Sequence, residues 1–316
     1  MSALSATDGS DGAAAHDPDQ YGPAGRSAWL DVDWRTHQRW VTVEGNPIDT
    51  IELGEGPPVV FVHGLGGSWQ NWLEQLPELA RSHRVVAMDL PGFGHSPMPR
   101  EQISIAGYAR LLDGLLVELG IDAAAVVGNS MGGFIGAELA ISFPQRVERL
   151  VLVSAAGLST HNDPVPQRAL PALVRLERVI AGSTAWLAGR SDTVMRRPRL
   201  RGATLNAVVR HPSRLPAALA AEQLRGAGKP GFLSALQAVI DYDVRERLPE
   251  IACPTLIVWG ARDRLINVRD AHVFEELIPD SRKVIFEDTG HVAMLERPAS
   301  FNALLEEFLA EQPLSA

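Results

Sequence analysis

Short, unbroken apolar runs punctuate this chain at 59–62, 85–88, 124–127, 150–153, 256–259 and 284–286. Runs of that length without polar alternation predict strands buried on both faces, the mark of a mostly parallel sheet covered by helices. Between most of them the apolar spacing lengthens to that of a helix. Leu111, Leu112, Leu115, Leu116 and Leu119 fall on one stripe, and Gly120 stands where a C-terminal cap belongs. Residues 134–142 read as a second helix, closed by Pro144. The pair 40–43 and 49–53 predicts an antiparallel hairpin entering the sheet. The fold class is therefore α/β, a mostly parallel central sheet flanked by helices.

After Ser154-Ala155-Ala156-Gly157 the pattern changes. Helical stretches, prolines, glycines and many arginines follow, with no buried-strand run until Leu256. This predicts a helical cap inserted at 158–246 into a core built from 29–157 and 247–316, with Leu170, Leu173 and Leu176 in the core of the cap. A cap excludes water and selects the substrate. Within it, Met195-Arg196-Arg197-Pro198-Arg199-Leu200-Arg201 reads as a solvated charged face, with binding of an anionic substrate or lipid surface as the alternative. Residues 1–28, rich in Ala, Gly, Asp and Ser near the start, read as a disordered tail; they lack the basic and apolar regions of a signal peptide.

The composition narrows the function. An apolar content of 46% in 316 residues is ample for a large core. A net charge of -9 argues against nucleic acid as a partner, because phosphate binding needs a basic surface. No run approaches the roughly 18 apolar residues of a membrane span. The single cysteine, Cys253, excludes an internal disulfide and any cysteine-based metal cluster. With no export signal, a cytoplasmic location is expected.

The chemistry concentrates at strand ends. Gly128-Asn129-Ser130-Met131-Gly132 lies where an apolar run meets a helical pattern. A serine on so sharp a strand-to-helix turn needs small residues two before and two after it, and its hydroxyl is lifted clear of the sheet. The Met131 N–H then opens the helix and faces any negative charge that develops beside the serine. His63-Gly64-Leu65-Gly66-Gly67 follows the first buried run, and its glycine-rich loop leaves backbone N–H groups free. Leu65 N–H is the natural partner of Met131 N–H in an oxyanion hole. His63 itself reads as a loop brace rather than a catalyst. Trp69 and Trp72 fit either pocket lining or packing.

Two further runs end in Asp263 and in Gly290-His291. The carboxyl ends of parallel strands converge on one edge, so Ser130, Asp263 and His291 can meet there although far apart in sequence. In that set Ser130 is the nucleophile, His291 the base and Asp263 its orienting acid. Asp288 is a rival acid close to His291, with a turn role as the alternative, and Asp89 reads as a loop-organising carboxylate.

With Asp89-Leu90-Pro91-Gly92-Phe93-Gly94-His95-Ser96 added to these segments, the chain resembles the α/β-hydrolase superfamily over nearly all its length after the first thirty or so residues. The resemblance is to its serine-nucleophile, esterase- and lipase-like branch with a helical cap. It implies hydrolysis of a carboxylic ester of a small or medium apolar substrate through an acyl-enzyme. Relatives that dehalogenate or open epoxides carry aspartate at the Ser130 position, so those activities are disfavoured. The alternative is hydrolytic carbon–carbon cleavage of a vinylogous diketone, although that group usually carries Gly-Pro-Gly at Leu65-Gly66-Gly67 and tryptophan at Val292. A ligand receptor on the same fold, with little turnover, is the alternative from another class. No metal or organic cofactor is implied.

Overall fold

A computed structural model describes residues 20–23, 25–159 and 190–311. Its eight strands are β1 (Gln38–Val43), β2 (Asn46–Leu53), β3 (Pro58–Val62), β4 (Arg84–Met88), β5 (Ala124–Asn129), β6 (Val147–Val153), β7 (Thr255–Gly260) and β8 (Ser281–Phe286). They form one sheet in the order β1-β2-β4-β3-β5-β6-β7-β8. The predicted hairpin is present, with Val43 opposite Asn46 across a two-residue turn at Glu44 and Gly45, both at positive φ. That geometry matches the right-handed twist of the strands it joins. β2 also pairs antiparallel with β4, and every pairing from β4 through β8 is parallel.

The continuous apolar runs are explained by burial on both sides. Val60 and Val62 of β3 enter one core layer, while Val59 and Phe61 enter the other. Successive side chains of a strand point to opposite faces, so a strand covered twice has no polar phase. β5 and β7 are buried throughout, whereas every residue of the edge strand β8 is half-buried. Helix Ile105–Glu118 presents Tyr108, Leu112 and Leu115 to the first layer, and its N-cap Ser104 accepts the Gly107 N–H at 3.0 Å. Helix Met131–Ser142 is buried along all of its length but Ser142.

Between β6 and β7 the described residues form helices Ser191–Met195, Pro198–Leu205, Ala217–Arg225 and Phe232–Asp241, and no strand. The expected leucines at 170, 173 and 176 lie outside the described residues. The charged face at 195–201 differs from expectation at one end. Arg196, Arg197 and Arg199 are exposed, but Arg201 is buried, donating to Met195 O and Ser213 O. Its carbonyl partners lie 6 and 12 positions away, and no charge pattern reveals them. Part of the stretch 1–28 expected as a tail is packed into the fold: Tyr21 is buried, and the buried Ser27 donates to Glu74. No helix among the described residues is long and apolar enough to cross a membrane.

Candidate active site

The chain runs from β3 to β4 on one side of β3 and onward to β5 on its other side. In open α/β sheets the crevice at such a reversal, at the carboxyl ends of the strands, is where ligands bind. The loops after β3 and β5 flank it, and they carry Leu65 and Ser130.

Ser130 has φ 55 and ψ −118. A non-glycine residue in that region costs about 1–3 kcal/mol and persists only where its surroundings hold it. Here Ser130 N–H donates to Val153 O at 2.9 Å, and Ser130 O accepts from Ala156 N–H at 3.0 Å and Phe134 N–H at 3.1 Å. The flanking glycines serve close approach. A Cβ on Gly128 would lie 2.3 Å from Gly132 O, and one on Gly132 would lie 2.2 Å from Val62 O. Both obstacles are backbone atoms, so neither can rotate away. Gly64 also lies close, since a Cβ there would sit 3.1 Å from Ser130 Cβ. The loop bearing Leu65 therefore passes beside the serine. Met131 N–H lies in the first helical turn, where N–H groups have no intrahelical partner.

His63 is fully buried and supports that loop. Its Nε2 accepts Leu90 N–H at 3.0 Å, so the proton is on Nδ1, which donates to Gly64 O at 2.8 Å. Burial pushes its pKa down to about 4, and the ring stays neutral. Trp72 is buried with its ring centroid 5.0 Å from that of Phe61, and Trp69 lies 5.0 Å from Trp34; both pack the core.

Asp263 and His291 meet directly. His291 Nδ1–H donates to Asp263 Oδ2 at 2.7 Å, with side chains 5% and 0% exposed. The other oxygen, Oδ1, accepts Leu265 N–H at 2.8 Å and Ile266 N–H at 3.0 Å. Gly260, at the end of β7, is packed against the histidine loop: a Cβ there would lie 2.0 Å from Gly290 O. Asn129, the residue before Ser130, links the two sides through Nδ2, donating to Val153 O at 3.0 Å and His291 O at 3.3 Å. A direct bond from the Ser130 hydroxyl to the imidazole is not among those formed by the described residues; such bonds commonly tighten only with substrate in place. Asn129 lies inside the pentad, but the sequence argument there rests on the glycines, Ser130 and Met131.

Asp288 faces elsewhere. It accepts from Arg210 Nε at 3.0 Å and His211 Nε2 at 2.7 Å, and these partners hold its carboxyl below the usual carboxylate range. Glu296, to which the sequence assigns no role, is fully buried and accepts Gly290 N–H at 2.9 Å. Its signal was present as a charge ending the apolar stretch Val292-Ala293-Met294-Leu295.

Among the described residues one group has donors close enough for a metal ion, Asp49, Asp89 and His95, whose ligand atoms lie within 4.8 Å of one another. These donors already serve the protein. Asp89 accepts Trp69 N–H at 2.8 Å and His95 N–H at 2.7 Å, while Asp49 accepts from Gln38 at 2.8 Å and contacts His95 Nδ1 at 2.9 Å. Burial pushes the Asp89 carboxyl up to about 6.

A sheet of this order, with a strained serine after β5 and a histidine–aspartate pair beyond β7 and β8, defines a hydrolase of α/β architecture. The family model described as the alpha/beta hydrolase fold matches residues 57–298, and the chain belongs to that family. It is 30% identical over 292 residues to a 2-hydroxy-6-oxo-2,4-heptadienoate hydrolase of Pseudomonas putida, covering 87% of this chain and 96% of the relative. Among solved structures, a serine hydrolase involved in carbazole degradation is 27% identical with a TM-score of 0.68, covering 86% of this chain and 98% of that one. An enol-lactonase from Burkholderia xenovorans is 25% identical, also with a TM-score of 0.68, covering 86% and 100%.

Proposed function

We propose that this hydrolase uses Ser130 as nucleophile, His291 as general base and Asp263 as the acid that orients it, with Leu65 and Met131 N–H as oxyanion donors. One observation carries the reading: a serine held at φ 55 stands next to Asn129, which bonds to the backbone of the same His291 that donates to Asp263 at 2.7 Å. Because Asp263 accepts the Nδ1 proton, Nε2 is left with its lone pair for the serine proton.

Ser130 Oγ adds to a carbonyl carbon while its proton moves to His291 Nε2. The carbonyl oxygen becomes an oxyanion facing two N–H donors, the loss of either of which typically costs on the order of 10²–10³ in rate. Collapse of this intermediate breaks the bond to the leaving group, which takes the proton from the imidazolium. Water, deprotonated by the same imidazole, then releases the acyl group and restores the serine. An ester and a vinylogous diketone differ only in the leaving group. One leaves as an oxygen anion, the other as a carbanion delocalised into the conjugated carbonyl and protonated on carbon.

Of the two, the carbon leaving group has the stronger support. The dienoate hydrolase resembles this chain along nearly its whole length, which favours carbon–carbon hydrolysis over the ester cleavage expected from the motifs. Ester cleavage keeps support of its own in the resemblance to an enol-lactonase, since a lactone is a cyclic ester, and in Leu65-Gly66-Gly67 and Val292. The insertion at 158–246 is read as the cap. Supporting that, a Cβ on Gly66 would lie 3.3 Å from the Phe232 ring, and Gly231 N–H donates to Gly92 O at 2.9 Å.

The test offers the purified protein a 2-hydroxy-6-oxo-dienoate, followed by loss of its absorbance, and a p-nitrophenyl ester. Ser130→Ala and His291→Ala should each abolish turnover of both while the folded signal stays intact. Wild-type turnover by Ser130→Ala would overturn the nucleophile assignment. Consumption of the ester alone would move the reading to ester cleavage, and tight binding without product would move it to a receptor.

A further inference from the structure

The main chain around His291 is held by contacts from outside its own loop. His291 N–H donates to Val208 O of the insertion at 2.8 Å, and His291 O accepts from Asn129. Gly290 N–H donates to Glu296 Oε1 at 2.9 Å. The second oxygen of Glu296 accepts Arg210 N–H at 2.9 Å and Tyr21 O–H at 2.6 Å, and Tyr21 Oη accepts His211 N–H at 2.9 Å. Three donors from three separate stretches of chain thus converge on one buried carboxylate.

Stability alone is a weak reason for this arrangement. A buried carboxylate is costly to desolvate, and apolar replacements of similar volume are often neutral or better. What a carboxylate supplies, and an apolar residue or an amide does not, is acceptor capacity on both oxygens at once. It therefore fixes the spacing between Gly290, which precedes the imidazole, and Arg210, which belongs to the insertion. Asp288 spans the same two stretches through Arg210 and His211 on the more exposed side.

We propose that Glu296 is a positioning residue for His291, clamping Gly290 to Arg210 so that the placement of the imidazole toward Ser130 depends on the insertion being docked. This rests on the reading of Ser130, His291 and Asp263 as the reacting set. A displacement of about 1 Å in a reacting group costs on the order of 10²-fold in rate, so the clamp acts on turnover more than on substrate binding.

The test is Glu296→Gln, which keeps the shape but turns an NH₂ toward one of the N–H donors. Three quantities are read: kcat per site titrated with a fluorophosphonate, KM for the substrate turned over, and the low-field NMR resonance of the His291 Nδ1 proton, assigned by its loss in Asp263→Asn. The expected result is a kcat lower by roughly 10- to 100-fold with KM within about threefold, and a shifted or broadened resonance. A folded Glu296→Gln protein with wild-type kcat and resonance overturns the proposal. If that variant does not fold, Tyr21→Phe, which removes one donor and leaves the other two, carries the test: a kcat several-fold lower with the same spectral change supports the clamp, and no change in either overturns it. A wild-type protein that neither labels at Ser130 nor turns over substrate would refute the serine-hydrolase reading instead. The resonance would still decide whether Glu296 orients His291.

Discussion

Replacing Asp263 with asparagine tests the site at its most sharply defined point, because the structure dictates which way the new amide must face. Oδ1 of Asp263 accepts two backbone N–H groups, from Leu265 and Ile266, while Oδ2 accepts the imidazole proton. In Asp263→Asn the amide oxygen stays with the two N–H groups. The flipped amide would set an NH₂ against both, giving up two hydrogen bonds worth about 0.5–1.5 kcal/mol each. The amide nitrogen therefore points at His291 Nδ1 and donates to it. Nδ1 must then be the acceptor, the ring proton moves to Nε2, and the atom that should take the serine proton already carries one. A wrong tautomer of this kind lowers kcat by about 10⁴ in the serine-protease precedent, or about 5.5 kcal/mol of activation free energy. The assay is the initial rate on a p-nitrophenyl ester or a dienoate, whichever the wild type turns over, corrected for titrated active sites, with a melting curve to show that the fold persists. A folded Asp263→Asn protein within tenfold of wild type would refute the assignment of the acid and the tautomer argument with it.

Further outcomes follow from neighbouring contacts. Asp288→Asn should leave activity within about tenfold of wild type, because its half-exposed pairs with Arg210 and His211 contribute about 0–1 kcal/mol; a loss near that of Asp263→Asn would reverse the two roles. Gly132→Ala should lower the urea midpoint by the equivalent of at least about 1–3 kcal/mol, since the new Cβ meets Val62 O and His63 O at 2.2 and 2.7 Å; an unchanged midpoint would show that the elbow can relax. His63 has its folded pKa lowered to about 4, so the unfolded chain takes up its proton first, and its contribution is lost as pH falls from about 6.5 toward 4. Asp89 has its folded pKa raised to about 6, so the folded chain takes up that proton first and stability is gained as pH falls from about 6 toward the ordinary carboxylate range. The two slopes oppose each other between pH 4 and 6. Asp89→Asn should therefore make stability fall more steeply with acid, by close to one proton or about 1.4 kcal/mol per pH unit in denaturant titrations; equal slopes in the two proteins would contradict the assignment.

Much of this molecule is legible in one dimension because the causes are local. Burial on both faces removes the polar phase from a strand, so β3 to β7 announce themselves as apolar runs. A tight strand-to-helix turn admits only small residues beside it, so Gly128 and Gly132 mark Ser130. Parallel strands bring their carboxyl ends to one edge, so Asp263 and His291 could be named as partners from their places after β7 and β8. The tertiary structure decided what depends on meetings between distant segments. That Asp288 turns to His211 rather than His291, and that Tyr21 and Glu296 join residues 210–211 to the histidine loop, are matters of hydrogen bonds between groups as many as 275 positions apart. A hydrogen bond has no period along the chain. A lone glutamate after four apolar residues shows only that a charge enters the core, and its partners are chosen by the packing of three segments in space.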